Sequence, residues 1–156
     1  MRKKAPDGKP KGADERAVGL LARREHSSRE LTQKLKQRGV EPEEAEAAVT
    51  RLRREEYQSD TRFAEALIRQ RAGAGYGPRY IEAELRSHGL NPVEFREALA
   101  SHDWLEICRT LVRKRAKAGV KGQGERTRIA QFLARRGFSG RDIYAATGTE
   151  AGDDDA

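Results

Sequence analysis

Apolar residues recur along this chain at helical spacing, and the same pattern occurs three times. An apolar residue is followed by leucine four positions later, by glycine after four more, and then directly by another apolar residue. The three sets are Leu31, Leu35, Gly39 and Val40; Ile81, Leu85, Gly89 and Leu90; and Ile129, Leu133, Gly137 and Phe138. Because the glycines are 50 and 48 residues apart, we infer three tandem repeats.

The pattern predicts a helix, a tight turn and a second helix in each repeat. Residues four apart share one helix face, so each apolar pair forms a buried stripe. The glycine supplies the left-handed backbone that ends a helix, and the apolar residue after it folds back on the last turn. Pro42 and Pro92 then stand where a second helix begins, a position at which a missing N–H costs nothing.

A further helix precedes each pair, and it starts near Asp14 in the first repeat, at Ser59 or Asp60 in the second, and near Trp104 in the third. No segment alternates apolar and polar residues, so no sheet is expected. We predict an all-α fold of three tandem three-helix repeats, which are helix-turn-helix-like units forming an elongated, curved array. The predicted segments are a disordered basic tail, 1–13; the repeats, 14–57, 58–101 and 102–148; and a disordered acidic tail, 149–156.

Charge is abundant and unevenly distributed. Charged residues make up 37% of the 156 residues, against 36% for hydrophobic residues, so the core is expected to be thin. The net charge is +7, and residues 101–149 contain eleven basic but only four acidic residues. This imbalance indicates a polyanionic partner for the third repeat. The candidate contacts are Arg113, Lys114, Arg115, Lys117, Lys121, Arg126 and Arg128.

These candidates differ in how strongly they indicate binding. Cations at the end of a helix stabilise its dipole, which gives Arg113 to Arg115 a structural alternative. The same alternative holds for Arg135 and Arg136, which we leave out of the candidate set. Cations at the start of a helix gain nothing from the dipole, so Lys121, Arg126 and Arg128 favour a binding role.

The remaining chemistry-bearing residues indicate neither catalysis nor a cofactor or metal site. The three histidines are far apart in sequence, and the single cysteine, Cys108, lies within an apolar stripe. One cysteine cannot form an internal disulfide, and the chain has neither a membrane-spanning apolar run nor a secretory signal. We therefore expect a cytoplasmic protein that makes no membrane contact and is not an enzyme.

The glycine-rich stretch RAGAGYGPRYIEAEL, residues 71–85, raises the question of a phosphate-binding loop. Its spacing fits neither G-x-G-x-x-G after a strand nor a loop ending in GK[ST], so it predicts a corner between two helices, with a flexible joint as the alternative. Helical periodicity predicts core positions for Tyr57, Phe63 and Tyr80. Tyr76, in the loop, is predicted to be the most exposed aromatic.

The same region resembles the bacterial RecX family. That family shows leucine, tyrosine and an acidic residue before Arg-Phe-Ala, then a glycine-rich turn and Arg-x-Ile-x-x-Glu-Leu with a glycine end. The matching residues are Leu52, Tyr57, Asp60, Arg62, Phe63, Ala64, Gly75, Gly77, Ile81, Glu84, Leu85 and Gly89. The first repeat also matches the family's Ser-x-x-Glu-Leu-x-x-Lys-Leu. Most of these motif positions read as structural, and Ser59 departs from the family's acidic pair.

This resemblance implies a regulator, mainly a negative one, of the RecA recombinase. Such a protein binds the RecA–single-stranded DNA filament along its groove, limits filament growth and inhibits ATPase, strand exchange and co-protease activity. It implies a monomer whose partners are RecA and single-stranded DNA, with duplex DNA as a further ligand. Two other classes stay open on the residues alone. They are a helix-turn-helix reader of duplex DNA and a helical-repeat scaffold for protein interactions.

Overall fold

A computed structural model describes residues 12–152 of the chain. Within that range it contains nine α-helices and no strand. They are α1 (Ala13–Leu21), α2 (Ser28–Gln37), α3 (Pro42–Arg54), α4 (Asp60–Gly73), α5 (Pro78–Ser87), α6 (Arg96–Ala100), α7 (Trp104–Arg115), α8 (Gly122–Arg135) and α9 (Gly140–Thr147). The predicted all-α class and the three-helix repeats are confirmed. Most of both predicted tails, residues 1–11 and 153–156, lies outside the described residues.

The third element of the second repeat departs from the single α-helix that was predicted. It begins as a 3₁₀ turn, Pro92–Phe95, and continues as the short α6. The break falls at Phe95, whose side chain is buried and whose backbone, at φ −115° and ψ 22°, lies outside α-helical geometry. The Asn91 side chain caps this element by accepting a hydrogen bond from the Val93 N–H.

The leucine–glycine pattern ends its three helices in the predicted way. Gly39, Gly89 and Gly137 have φ of +88°, +74° and +93°. The residue after each glycine donates its N–H to the carbonyl five positions earlier: Val40 to Leu35, Leu90 to Leu85, and Phe138 to Leu133. This is the hydrogen bond of a Schellman motif, which satisfies a carbonyl that the helix itself leaves free. The two apolar residues that precede each glycine in the pattern are buried in all three repeats.

The described residues divide into two compact units, with the division between Phe63 and Ala64 inside α4. The first unit contains α1, α2 and α3 around a core that includes Ala17, Leu31 and Leu35. The second contains the rest of α4 and all later helices. Its third-repeat core includes Cys108, Leu133 and Phe138.

In the first unit, Asp60 at the start of α4 stabilises the start of α2. One carboxylate oxygen accepts hydrogen bonds from the Ser28 N–H at 2.9 Å and from Gln58 Nε2 at 3.1 Å. The other accepts from Ser28 Oγ at 3.2 Å and from Arg53 Nη2 at 2.9 Å. A carboxylate at a helix N-terminus satisfies free N–H groups and is favoured by the helix dipole. The acidic motif position therefore organises the fold of the first repeat.

Arg62 holds the turn between α3 and α4 in the same unit. Its Nε donates to Glu25 Oε1 at 2.9 Å, and its Nη2 donates to the carbonyls of Glu56 and Tyr57. Glu56 has a left-handed φ of +63° and ends α3 as the glycines end other helices. The prediction that Tyr57 is a core residue is wrong, since 56% of it is exposed. The helical periodicity behind that prediction stops at the end of α3, before Tyr57.

In the second unit, the glycine-rich stretch is a corner between α4 and α5. Gly75, at φ +84°, ends α4, and the Tyr76 N–H donates to the Arg71 carbonyl at 2.9 Å. Beyond the corner, Arg71 and Glu84 form a bidentate pair of 2.6 and 2.7 Å that joins the end of α4 to α5. This hydrogen-bonded pair raises the pKa of Arg71. The predicted corner is therefore observed, and no strand precedes it among the described residues.

The corner also packs directly on the turn that follows α8. The Gly77 N–H donates to the Arg136 carbonyl at 2.7 Å, and the Arg79 N–H donates to the Gly137 carbonyl at 2.9 Å. A Cβ on Gly77 would lie 2.6 Å from the Gly137 backbone, and one on Gly137 would lie 2.3 Å from the Tyr80 nitrogen. Repeats two and three thus meet backbone to backbone. Such a contact argues against the flexible joint considered from the sequence.

Leu85→Ala tests the buried stripe. Leu85 is fully buried, so we expect the free energy of unfolding to fall by about 2–5 kcal/mol. The measurement is urea unfolding followed by the fluorescence of Trp104, the only tryptophan, which lies in the same unit. Val93→Ala, at an exposed position, is the control and should change little. A loss well under about 1 kcal/mol for Leu85→Ala would contradict the packing described above.

Gly77→Ala tests the contact between repeats two and three. A methyl group there meets backbone atoms that cannot move aside, so we expect a loss of about 1–3 kcal/mol in the same unfolding measurement. Gly73→Ala is a matched control four residues earlier, because a Cβ there has nothing within 4 Å. Equal stability of the two variants would show that the close approach at Gly77 is not a real constraint.

Candidate nucleic-acid interface

The seven cations predicted to bind a polyanion flank the turn between α7 and α8. Arg113, Lys114 and Arg115 form the last turn of α7, Lys117 lies in the loop, and Lys121 precedes the first residue of α8. Arg126 and Arg128 follow within α8. All seven side chains are exposed. They differ, however, in the contacts that each side chain makes within the protein.

Arg113 and Arg115 are engaged by other side chains. Arg113 Nη2 lies 2.8 Å from Glu106 Oε1 and 3.1 Å from Thr110 Oγ1, so a carboxylate offsets its charge. The Arg115 guanidinium lies over the Phe132 ring, 3.6 Å from the centroid. Such stacking leaves the positive charge in place, because an aromatic ring has no opposite charge to offer.

The other five candidates are free of ion pairs among residues 12–152. They are Lys114, Lys117, Lys121, Arg126 and Arg128. Acidic residues nearby are used elsewhere: Glu106 pairs with Arg113, and Glu125 accepts the backbone N–H of Lys121 at 2.7 Å. Asp103 caps the start of α7 by accepting from the Glu106 N–H. In the described part of the chain, the turn between α7 and α8 therefore presents five exposed cations that no ion pair engages.

A continuous stack of guanidinium groups and aromatic rings lies beside these cations. Arg115 covers Phe132, Arg136 lies 5.0 Å from the Phe132 centroid and 4.4 Å from that of Tyr76, and Tyr76 stacks on Tyr80 with centroids 4.3 Å apart. Arg136 Nη1 also donates to the Ala74 carbonyl at 3.3 Å. We call these five residues the Arg–aromatic stack. It joins the glycine corner of repeat two to α7 and α8 of repeat three.

The sequence-based view of this stack was partly wrong. Tyr80 was predicted to be in the core but is 39% exposed, whereas Tyr76, predicted to be the most exposed aromatic, is half-buried. Phe63 is buried as predicted. Arg136 was left out of the candidate set as a helix-end cation, and Phe132 was not considered. The spacing of four residues between Phe132 and Arg136, at the end of α8, is the one sequence signal that places this pair on a common helix face.

Three further features of the described residues concern metal binding, the cysteine and membrane-spanning helices. No group of three or more His, Cys, Asp or Glu side chains within residues 12–152 is arranged to hold a metal ion. Cys108 is fully buried, and burial raises the pKa of its thiol to about 12, as expected for a core residue. Among the helices of this range, none is both long and apolar enough to cross a bilayer.

Models of known protein families match nearly all of the residues in the three helical repeats. The first three-helix domain of RecX matches residues 13–52, the second matches 59–99, and the third matches 102–147. The chain belongs to the RecX family. The three RecX domains coincide with the three repeats that the leucine–glycine pattern indicates.

Individual relatives agree with this assignment. The regulatory protein RecX of Xanthomonas axonopodis pv. citri (strain 306) is 52% identical over 136 residues, which cover 85% of this chain and 84% of the relative. The regulatory protein RecX of Stenotrophomonas maltophilia (strain K279a) is 51% identical, covering 85% of this chain and 83% of that protein. These shares show that the chain is similar to RecX proteins over most of their length.

Solved structures of RecX proteins share the fold. The crystal structure of RecX from Lactobacillus salivarius superposes with a TM-score of 0.71 at 20% identity, covering 86% of this chain and 91% of that one. A second crystal structure of a regulatory protein RecX gives a TM-score of 0.73 at 21% identity, covering 87% of this chain and 71% of the other. At such low identity the likeness supports the all-α repeat fold alone.

Proposed function

We propose that this RecX-family protein regulates the RecA recombinase, mainly as a negative modulator. It binds the RecA–single-stranded DNA filament along its groove as a monomer, limits filament growth and inhibits ATPase, strand exchange and co-protease activity. The observation that carries the proposal is the match of all three RecX domains, in order, over residues 13–147. The protein acts by binding and performs no chemistry of its own.

The charge of repeat three supports a contact with DNA in the filament. Lys117, Lys121, Arg126 and Arg128 are exposed cations that form no ion pair within residues 12–152. Neutralising phosphates with such groups releases counterions, so the affinity falls steeply as salt rises. A pure protein-interaction scaffold, in contrast, depends little on salt. Salt dependence of filament binding therefore separates these two classes.

The starts of the third helices argue against a reader of duplex DNA. In a helix-turn-helix protein, the N-terminal residues of the recognition helix contact base edges. Here the first turn contains Glu43 and Glu44 in α3, Glu94 in the 3₁₀ turn before α6, and Asp142 in α9. These carboxylates repel phosphates. Sequence-specific footprints on duplex DNA would reverse this conclusion.

The first test is RecA ATP hydrolysis on single-stranded DNA while this protein is titrated in. We expect inhibition at amounts well below those of RecA, because a protein that limits filament growth acts on few sites per filament. Inhibition only near one-to-one would indicate that the protein must cover the whole groove, or compete for DNA, rather than limit filament growth from a few sites. No effect from a folded, helical protein would contradict the proposed function.

Reversal of three charges tests the surface of repeat three. Changing Lys121, Arg126 and Arg128 to Glu should raise the half-inhibitory concentration roughly tenfold or more. The slope of log affinity against log salt for single-stranded DNA should also become shallower by about 2, at about 0.7 per lost phosphate contact. Helicity and the melting temperature should stay unchanged, since all three side chains are exposed.

The matched control reverses three exposed arginines elsewhere, Arg23, Arg54 and Arg69, which changes the net charge by the same amount. If both triple variants lose inhibition equally, net charge rather than this surface is responsible. Unaltered inhibition by the repeat-three variant would exclude Lys121, Arg126 and Arg128 as contacts.

A further inference from the structure

The Arg–aromatic stack ends in solvent at both sides. At one end Tyr80 is 39% exposed, and at the other the Arg115 guanidinium is exposed above Phe132. The middle members, Phe132, Arg136 and Tyr76, are half-buried and hold repeats two and three together. A role in packing explains these middle members. It does not explain why a second aromatic ring extends the stack outward from Tyr76.

Tyr80 is held firmly in place at this exposed end. Its backbone nitrogen and Cβ approach Gly137 so closely that any side chain on Gly137 would overlap them. The neighbouring Arg79 N–H donates to the Gly137 carbonyl at 2.9 Å. The Tyr80 ring also stacks on Tyr76, with 28° between the two planes. A ring fixed in this way loses little conformational freedom when a flat ligand stacks on it.

The surroundings of the stack are cationic. Arg115 and Arg136, within the stack, have no carboxylate within ion-pairing distance among residues 12–152. The same holds for Arg79, next to Tyr80, and for Arg135, and both are exposed. An aromatic face among guanidinium groups suits a ligand that alternates flat rings and negative charges. Single-stranded nucleic acid has this chemistry, because unpaired bases offer their faces and each nucleotide carries a phosphate.

We propose that Tyr80 is a stacking site for an unpaired base of single-stranded DNA. The base stacks on the outer face of the Tyr80 ring and extends the column formed by Tyr76 and Arg136, while Arg79 and Arg135 contact the flanking phosphates. Duplex DNA cannot use the site in this way, because its base faces are covered by neighbouring base pairs. The choice of single-stranded DNA as the ligand rests on the proposed function, whereas the stacking itself requires no RecA.

The experiment compares two oligonucleotides of about 15 nucleotides, a length that one single-strand binding site can cover. One is oligothymidylate, and the other carries abasic sites throughout and so has the same phosphates without bases. Binding to each is measured by fluorescence anisotropy in the absence of RecA. We expect the full-length protein to prefer oligothymidylate by about 5- to 160-fold, the range typical of stacking of one base on an aromatic side chain.

Three variants make the result specific to Tyr80. Tyr80→Ala should abolish the preference for bases while retaining affinity for the abasic strand, and Tyr80→Phe should keep the preference. Tyr144→Ala, which removes a 57% exposed tyrosine on α9 outside the stack, should behave as the unaltered protein. Trp104 fluorescence during urea unfolding checks that each variant is folded.

Equal affinity of the unaltered protein for both strands, or no binding to either, would overturn the proposal. A preference for bases that survives in Tyr80→Ala would overturn it as well. These outcomes are distinct from failure of the proposed function. If RecA ATPase is inhibited but bases are not preferred, the stacking site alone is wrong. A base preference that depends on Tyr80, without effect on RecA, supports the stacking site and contradicts the RecA assignment.

Discussion

Two backbone turns, one containing Gly77 and the other Gly137, approach each other so closely that no side chain fits between them. Two backbone hydrogen bonds, from Gly77 to the Arg136 carbonyl and from Arg79 to the Gly137 carbonyl, close this contact. The positions of Tyr76, Tyr80 and Arg136 all follow from it, because Tyr76 and Arg136 lie on the two turns and Tyr80 lies in the first turn of α5, directly after Gly77. The exposed Arg–aromatic stack therefore depends on a close backbone contact, to which the Arg136 side chain adds its hydrogen bond to the Ala74 carbonyl.

The same way of ending a helix recurs along the chain and serves different purposes. Gly39 and Gly89 end α2 and α5, and each is followed by an apolar residue that folds back on its helix. Gly75 ends α4 in this way and leads into the corner, where the residue that follows is Tyr76. At Glu56 a residue other than glycine adopts the left-handed backbone conformation, and Arg62 donates a hydrogen bond to its carbonyl. Local backbone geometry is thus shared, whereas the neighbours of each turn decide its role.

The number of arginines does not show which of them can attract a ligand, because this depends on the side chains that each arginine contacts. Arg71, Arg62 and Arg113 are each occupied by a carboxylate, so they organise helices rather than attract a ligand. Arg115 and Arg136 lie on aromatic rings and keep their full charge. Arg136 shows the difference most clearly. Its place at the end of α8 indicates only a helix-end cation, yet in the structure it joins the rings of two repeats.

The sequence by itself determined the three repeats and most of their helices and helix ends, the 3₁₀ turn at Pro92–Phe95 excepted, because these depend on spacing within one repeat. Leu31, Leu85 and Leu133 are buried where the four-residue spacing places them, and the basic turn at 113–128 is visible from composition alone. Only the tertiary structure decided that Tyr80 faces solvent, that Arg113 is paired and that Arg136 stacks on Tyr76. Those outcomes depend on contacts between residues far apart in the chain, such as Gly77 with Gly137. Periodicity describes which face of a helix is apolar, but not which other turn will lie against it.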